Sequence, residues 1–344
     1  MAQTLSPRQE QILLAVVEHY IRRAVPVGSA CIREVEGLPW SGATIRHELS
    51  ELERLGYLDQ PHTSAGRVPT DSAYRVFANR TLASAPSPKD ASAFSHENPT
   101  PGQDLDVFIR QVTRALSTQS HVLGLVALPA LHGVPLTELR FLPLASGRAM
   151  AVMMTRGGLV RTRFLTTGRE IGQRDFERIN EQIRRYAGLS LEGIRGRLSR
   201  DISRRTRSLE RLFSAVLAWM TQLQEDRGKE LIIDGGLNLL EQPEFSRIER
   251  IRAFLQTIEE KRLILDLVTR CLQDSSPSVL IGAELSEESM ADCGIVAVPY
   301  GSGDTSGVVG LIGPKRMDYS GGLTLAAATA AFLTTTLLTE ATHG

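Results

Sequence analysis

The chain has 344 residues, of which 42% are hydrophobic and 23% charged. That is enough for about two or three domains, and it excludes a wholly disordered, collagen-like or disulfide-dense chain. Lys and Arg total 39 and Asp and Glu total 39, so no net field draws the molecule onto nucleic acid or an anionic membrane, and any such binding must come from a local patch. Three widely spaced cysteines, Cys31, Cys271 and Cys293, form no CxxC pair and read as buried free thiols. The opening MAQTLSPRQEQ has neither a basic n-region nor an apolar h-region, so a cytoplasmic protein is expected.

Residues 1–80 predict compact helices ending in a hairpin. Ser6-Pro7-Arg8-Gln9 has the form of a capping box and opens helix 1, about 7–24, whose Ile12, Leu13, Val16, Val17 and Tyr20 recur at helical spacing. Pro26-Val27-Gly28 breaks it. Ser29 can cap a short helix over about 30–36, and Ser41 a longer one over about 42–55 that Gly56 ends. Strands follow from Tyr57-Leu58 and Arg67-Val68, on either side of a polar loop between Pro61 and Gly66. Thr70 then caps a further helix through Tyr74 and Phe77. Residues 83–104 are rich in Ala, Ser and Pro and read as a flexible linker.

A helical segment from Leu105 leads to a strand at about 122–128, and a meander follows at 138–144, 149–155 and 159–165. Residues 173–226 look helical and arginine-rich. Across 140–211 there are 17 Arg against 7 acids, a surplus read as solvated helix faces in preference to a polyanion-binding surface. An amphipathic helix is expected over 245–272, with strands at about 279–284, 294–299 and 307–312. The final uncharged run, between Asp318 and Glu340, opens Tyr-Ser-Gly-Gly and is rich in Thr. It predicts a buried helix over about 322–340, not a membrane anchor.

No catalytic pattern emerges. GxSxG, HExxH, P-loop and EF-hand motifs are absent, and the seven His show no metal-ligand spacing. Gly301–Gly307 lies between two predicted strands and reads as a hairpin loop. No enzyme activity, cofactor or metal is expected.

The N-terminal order of helices and hairpin is that of a winged helix-turn-helix, whose third helix enters the DNA major groove. On that helix Ile45, Leu49 and Leu52 share an inward face. The opposite face offers Thr44, Arg46, His47 and Ser50 as base-edge candidates, Arg46 being suited to a bidentate bond to guanine. Ser29, Ser41, His62, Thr63, Ser64 and Arg67 are backbone or minor-groove candidates. A winged helix used for protein contacts stays open on pattern alone, because residues 1–80 hold nine Arg, no Lys and nine acids.

The stretches Pro26–Ser29, Ser41-Gly-Ala-Thr-Ile-Arg46, Leu52-Glu53 with Gly56-Tyr57-Leu58, and Tyr74-Arg75, above all Pro61-His-Thr-Ser-Ala-Gly-Arg-Val-Pro-Thr70, resemble the heat-inducible transcription repressor family HrcA. The resemblance returns at Gly236-Leu-Asn-Leu-Leu240, Pro243-Glu244-Phe245 and Ile312–Tyr319. His47, Leu49 and Ala73 depart from the Asn, Met and Gly usual in the family, and the 83–104 segment is longer than usual. The resemblance implies an α+β multidomain fold: a winged-helix domain at 1–82, a GAF-like domain at 105–130 and 228–344, and an inserted dimerisation domain at 131–227. It further implies a homodimer on an inverted-repeat operator of chaperone genes, kept active by the chaperonin GroEL, with no membrane partner. The alternative is a winged-helix regulator whose GAF-like domain senses a small molecule. Val279, Ile281, Val296 and Val298 would line such a pocket, but their small aliphatic side chains favour a filled core.

Overall fold

The computed structural model describes residues 5–34, 38–62, 65–84, 105–129, 136–144, 147–155, 160–166, 172–190, 193–194, 196–197, 214, 218, 231–245, 248–301 and 306–343. It combines helices with antiparallel sheets.

Helix α1 (Pro7–Arg23) starts with the predicted capping box: Ser6 Oγ accepts from Gln9 N at 3.3 Å, and Gln9 Oε1 accepts from Ser6 N at 3.0 Å. Helix α2 (Ser29–Arg33) is shorter than expected, and Ser29 is not its cap. The extended residue Gly28 takes that position, its carbonyl accepting from the Cys31 and Ile32 amides. Helix α3 (Gly42–Arg54) is capped by Ser41, whose Oγ accepts from Thr44 N at 3.2 Å. It ends in a Schellman arrangement, with Gly56 N bonded to Glu53 O, Tyr57 N to Leu52 O, and Gly56 at φ +80°.

Strands β1 (Leu58–Asp59) and β2 (Val68–Pro69) form the expected antiparallel hairpin. The Arg67 backbone also exchanges two 2.8 Å bonds with Val27, so a single antiparallel bridge ties the chain ahead of α2 to the base of the hairpin. Gly66 permits this: a Cβ there would lie 2.5 Å from the Val27 backbone. Thr70 precedes α4 (Asp71–Ala83), but its hydroxyl does not cap that helix. It donates instead to the Gly56 and Tyr57 carbonyls, tying the end of α3 to the hairpin.

After α5 (Leu105–Ser120), strand β3 (Leu123–Ala127) enters a five-stranded antiparallel sheet. Its other members are β7 (Leu231–Asp234), β8 (Ser278–Ile281), β9 (Cys293–Tyr300) and β10 (Gly307–Pro314), in the order β7-β3-β10-β9-β8. Strands β3 and β10 are buried at every residue, because both sheet faces are covered. One face packs on α4, α5 and α10 (Tyr319–His343), within a core that is continuous with that of α1–α3 and takes in Val279, Ile281, Val296 and Val298. The other face packs on α8 (Ile248–Glu259) and α9 (Lys261–Asp274).

Those two helices correct the expectation of one helix over 245–272. Phe245 belongs to a separate 3-10 turn, and Glu260, at φ −76° and ψ 63°, breaks the helix. The break lets Phe254 and then Ile264, Leu265 and Val268 reach the same sheet face. A short helix α7 (Gly236–Leu240) precedes them. Strand β8 also stops short of 284, because Gly282 at φ +52° turns the chain into a 3-10 segment. Among the described residues no helix is long and apolar enough to cross a membrane. In α10, Leu323, Ala326, Ala327, Ala330 and Leu333 are buried.

The meander is a separate sheet of β4 (Leu136–Leu144), β5 (Arg148–Thr155) and β6 (Val160–Thr166). Its inner side holds Leu139, Phe141, Ala151 and Met153, and β4 packs on α6 (Gln173–Ile183). Asn180 of α6 closes the β4 edge by accepting from Phe141 N and donating to Phe141 O, both at 2.8 Å. Residues 191–192, 195, 198–213, 215–217 and 219–226 of the expected 173–226 helical region, and 85–104 of the expected linker, lie outside the described residues.

Cys293 is buried as expected, whereas Cys31 is half-buried; the Cys271 side chain lies outside the description. Burial pushes the Cys293 thiol up to about 12. In the native protein an alkylating reagent at neutral pH is expected to leave Cys293 unmodified and to modify it once urea unfolds the chain; peptide mass mapping checks this. Gly66→Ala should lower stability by about 1–3 kcal/mol in urea titrations, because the Val27 backbone has to move.

Candidate nucleic-acid interface

Helix α3 is held from behind. Ile45, Leu49 and Leu52 are buried against the N-terminal core as the pattern predicts. Between them sits Glu48, also buried, its carboxylate 3.5 Å from Arg8 Nε of α1. The sequence reading passed over Glu48, although it lies three residues after Ile45 and four before Leu52, on the inward stripe.

The outward face carries Ala43, Arg46, His47, Ser50 and Arg54, all exposed. Arg54 is occupied: its Nε and one terminal nitrogen donate to Glu51 Oε2 at 3.1 and 2.8 Å, and these bonds hold the Glu51 carboxyl below its ordinary range. Among the described residues Arg46 has no ion-pair partner. Ser50 Oγ donates to Arg46 O at 3.2 Å, which leaves its lone pairs to accept from outside. Thr44 is half-buried, its hydroxyl 3.0 Å from that of Ser41. Ser41 thus sets the helix start, beside backbone N–H groups that suit an anion.

Arg46, His47 and Ser50 line one wall of a groove of about 410 Å³. Gly28 and Ser29 at the start of α2, and Ala65, Gly66 and Arg67 at the hairpin base, line the rest. The fold therefore brings candidates from three separated stretches onto one surface. Arg67 sits differently from the others. Its side chain is only 17% exposed and is bonded to Glu53 at 2.8 Å. Its Nε is buried and has no hydrogen-bond partner among the described residues. The Glu53–Arg67 pair fastens hairpin to helix, so this arginine braces the groove instead of reaching out from it. His62 is exposed near the hairpin tip, while Thr63 and Ser64 lie outside the described residues. Neither Glu53 nor Val27 was anticipated; their partners are 14 and 40 positions away, beyond any helical or strand period.

No group of three His, Cys, Asp or Glu among the described residues could hold a metal ion. The Gly301–Gly307 stretch joins the antiparallel strands β9 and β10, with Tyr300 opposite Gly307, which makes it the expected hairpin connection. Residues 302–305 lie outside the description.

Comparison with known proteins extends beyond this surface. The family described as the HrcA protein C-terminal domain matches residues 106–322. The heat-inducible transcription repressor HrcA of Nitratidesulfovibrio vulgaris (strain Miyazaki F) is 34% identical over 324 residues, covering 92% of this chain and 91% of the relative. The protein of the same description from Geobacter sulfurreducens is 32% identical over 319 residues, covering 92% of this chain and 93% of the relative. A crystal structure described as that of a hypothetical protein shares the fold, with a TM-score of 0.66 at 22% identity over 98% of this chain and 100% of the other. With a family match across well over half its length and relatives of this identity along nearly all of it, the chain belongs to the HrcA family.

Proposed function

We propose that this protein is a heat-inducible transcription repressor that binds an inverted-repeat operator of chaperone genes as a homodimer, and that it is not an enzyme. In this reading residues 1–82 are a winged helix-turn-helix and 83–104 a linker. Residues 105–130 and 228–344 form a GAF-like domain, and 131–227 an inserted dimerisation domain. The observation that carries it is the outward face of α3. Arg46 stands there without an ion-pair partner among the described residues, beside His47 and Ser50, on a helix braced from behind by Arg8–Glu48. Such a helix enters a major groove with its N-terminal end foremost, and Arg46 reaches guanine edges. The hairpin and the N-termini of α2 and α3 flank it and suit phosphates.

Dimerisation is supported by the outer face of the meander. The strand register places Leu142, Met150 and Phe164 in one row across it, with Met154 and Val160 in another and Val152 between them. Phe164 is 70% exposed and Val160 41%. Glu138, Arg140 and Thr162 share this face, the first two as an exposed ion pair. A sheet face that joins an exposed apolar row to charges of both signs fits a second copy, related by a two-fold axis as an inverted repeat requires. The chaperonin GroEL is the proposed partner that maintains competent repressor; full unaided refolding of heated protein into operator-binding form would overturn that part.

Fluorescence anisotropy on the inverted repeat and on a scrambled duplex of equal length tests the whole reading. The repeat should be preferred by about 10³-fold or more. Equal binding that vanishes with salt would leave only a generic electrostatic contact. Arg46→Ala should cost about 1–3 kcal/mol and relax discrimination at one operator position; uniform weakening on every duplex would mark a phosphate contact instead. Phe164→Glu should halve the mass seen by light scattering at micromolar concentration while leaving the melting transition cooperative.

A further inference from the structure

Two stretches of the chain that are far apart in sequence meet at the back of the N-terminal unit. On α4, Asp71 Oδ1 accepts from Lys315 Nζ at 2.7 Å, and Oδ2 accepts from Ala283 N at 3.1 Å. The tight turn at Gly282 brings the backbone so near that a Cβ there would collide with the Asp71 carboxylate. One turn along α4, Arg75 donates through Nε to Glu284 Oε1 at 2.8 Å, pairs again with the other carboxylate oxygen, and donates to Val279 O at 2.8 Å. Glu284 is itself fixed by Ile281 N at 2.9 Å. Between these bonds, the Tyr74 and Phe77 rings each lie 6.4 Å from that of Tyr319. The Val279 carbonyl belongs to β8, an edge strand, so Arg75 also occupies part of the sheet's open edge.

The clasp leaves α3 free. All its polar partners are on α4, on the β8–turn segment and after β10, whereas Arg46, His47 and Ser50 face a groove lined by none of them. It therefore fixes the direction of the reading helix without covering it. We infer that the Asp71–Lys315 and Arg75–Glu284 clasp makes the repressor selective for the spacing between operator half-sites. Its four side chains are positioning residues. This rests on the DNA reading above.

Two extra base pairs between half-sites move one of them by about 7 Å and turn it by about 70°. A reading unit clasped to the sheet cannot follow without parting two ion pairs and the tyrosine contact as well as shifting the apolar core it shares with the sheet. One held by apolar contacts alone, which have no direction, could tilt and follow further. Simultaneous engagement of both half-sites, and the avidity it gives, is then lost for wrong spacings in the clasped protein only.

The test uses full-length protein and inverted-repeat duplexes from upstream of the chaperone operon, with the native spacer or spacers changed by two and five base pairs, and a duplex holding one half-site. The native protein should lose about 10²-fold in affinity on the altered spacers. Arg75→Gln should lose far less, with its half-site affinity unchanged. Glu284→Gln and Lys315→Gln alter the sheet side alone, so they report on the clasp even where Arg75→Gln fails to fold, and Arg75→Lys should restore part of the selectivity. Clasp variants that melt cooperatively yet keep the native spacing profile would overturn the inference, as would a native protein indifferent to spacing. A native protein that does not prefer the half-site over scrambled DNA would defeat the DNA reading itself, and this inference with it.

Discussion

The rest of the structure depends on the sharing of α4 between two packing problems. Its Ala73, Tyr74 and Ala78 are buried, and they belong to a core that runs unbroken from α1 to the five-stranded sheet. Opposite stands Tyr319, fully buried, its hydroxyl donating to Lys315 O at 2.6 Å. Burial raises that phenol above its ordinary range, so it stays neutral and keeps donating. The strand beneath must yield to it: a Cβ on Gly294 of β9 would lie 2.6 Å from the Tyr319 hydroxyl. The tyrosine thus dictates a glycine at the second position of β9, in a strand, where glycine is otherwise unfavourable.

The balanced charge of the N-terminal unit is resolved by where its pairs fall. Arg8, Arg54, Arg67 and Arg80 are neutralised by Glu48, Glu51, Glu53 and Glu10, and Arg75 by Glu284. Arg54–Glu51 lies within α3; the other four pairs link α1 to α3, α3 to the hairpin, α1 to α4 and α4 to the sheet. The exposed ones among them, Arg54–Glu51 and Arg80–Glu10, contribute little stability. Their larger effect is to remove carboxylates and guanidiniums from competition, so that Arg46 is left to define the field at the groove. A unit with no net charge can therefore present a cationic face, a matter of placement that a residue count does not register.

Most of the N-terminal elements were legible because their signals are local: Ser6 and Ser41 as caps, Gly56 as a left-handed stop, Pro26 and Gly66 as breaks. What could not be read had distant causes. Arg67 looked like a phosphate ligand from its neighbours alone, and only the fold brings Glu53 beneath it. Thr70 looked like a cap because it precedes a helix, yet two carbonyls at the end of α3 compete for its hydroxyl. The break at Glu260 has no Gly or Pro to announce it; it follows from the demand that two helices cover one sheet face. Of the candidate site, Arg46, His47 and Ser50 followed from helical period, since a residue opposite Ile45 and Leu49 must point outward.

The exposed Phe164 face has a consequence for dose as well as for shape. In the proposed dimer, two copies joined there would form the operator-reading species in proportion to the square of the concentration of single chains, wherever single chains predominate. Withdrawing half of the competent chains then removes about three quarters of the dimers. On this proposal a modest diversion of protein during heating would become a steep release of the promoter, with no cooperative switch inside the subunit. A row of apolar side chains on one small sheet would set how sharply the genes respond.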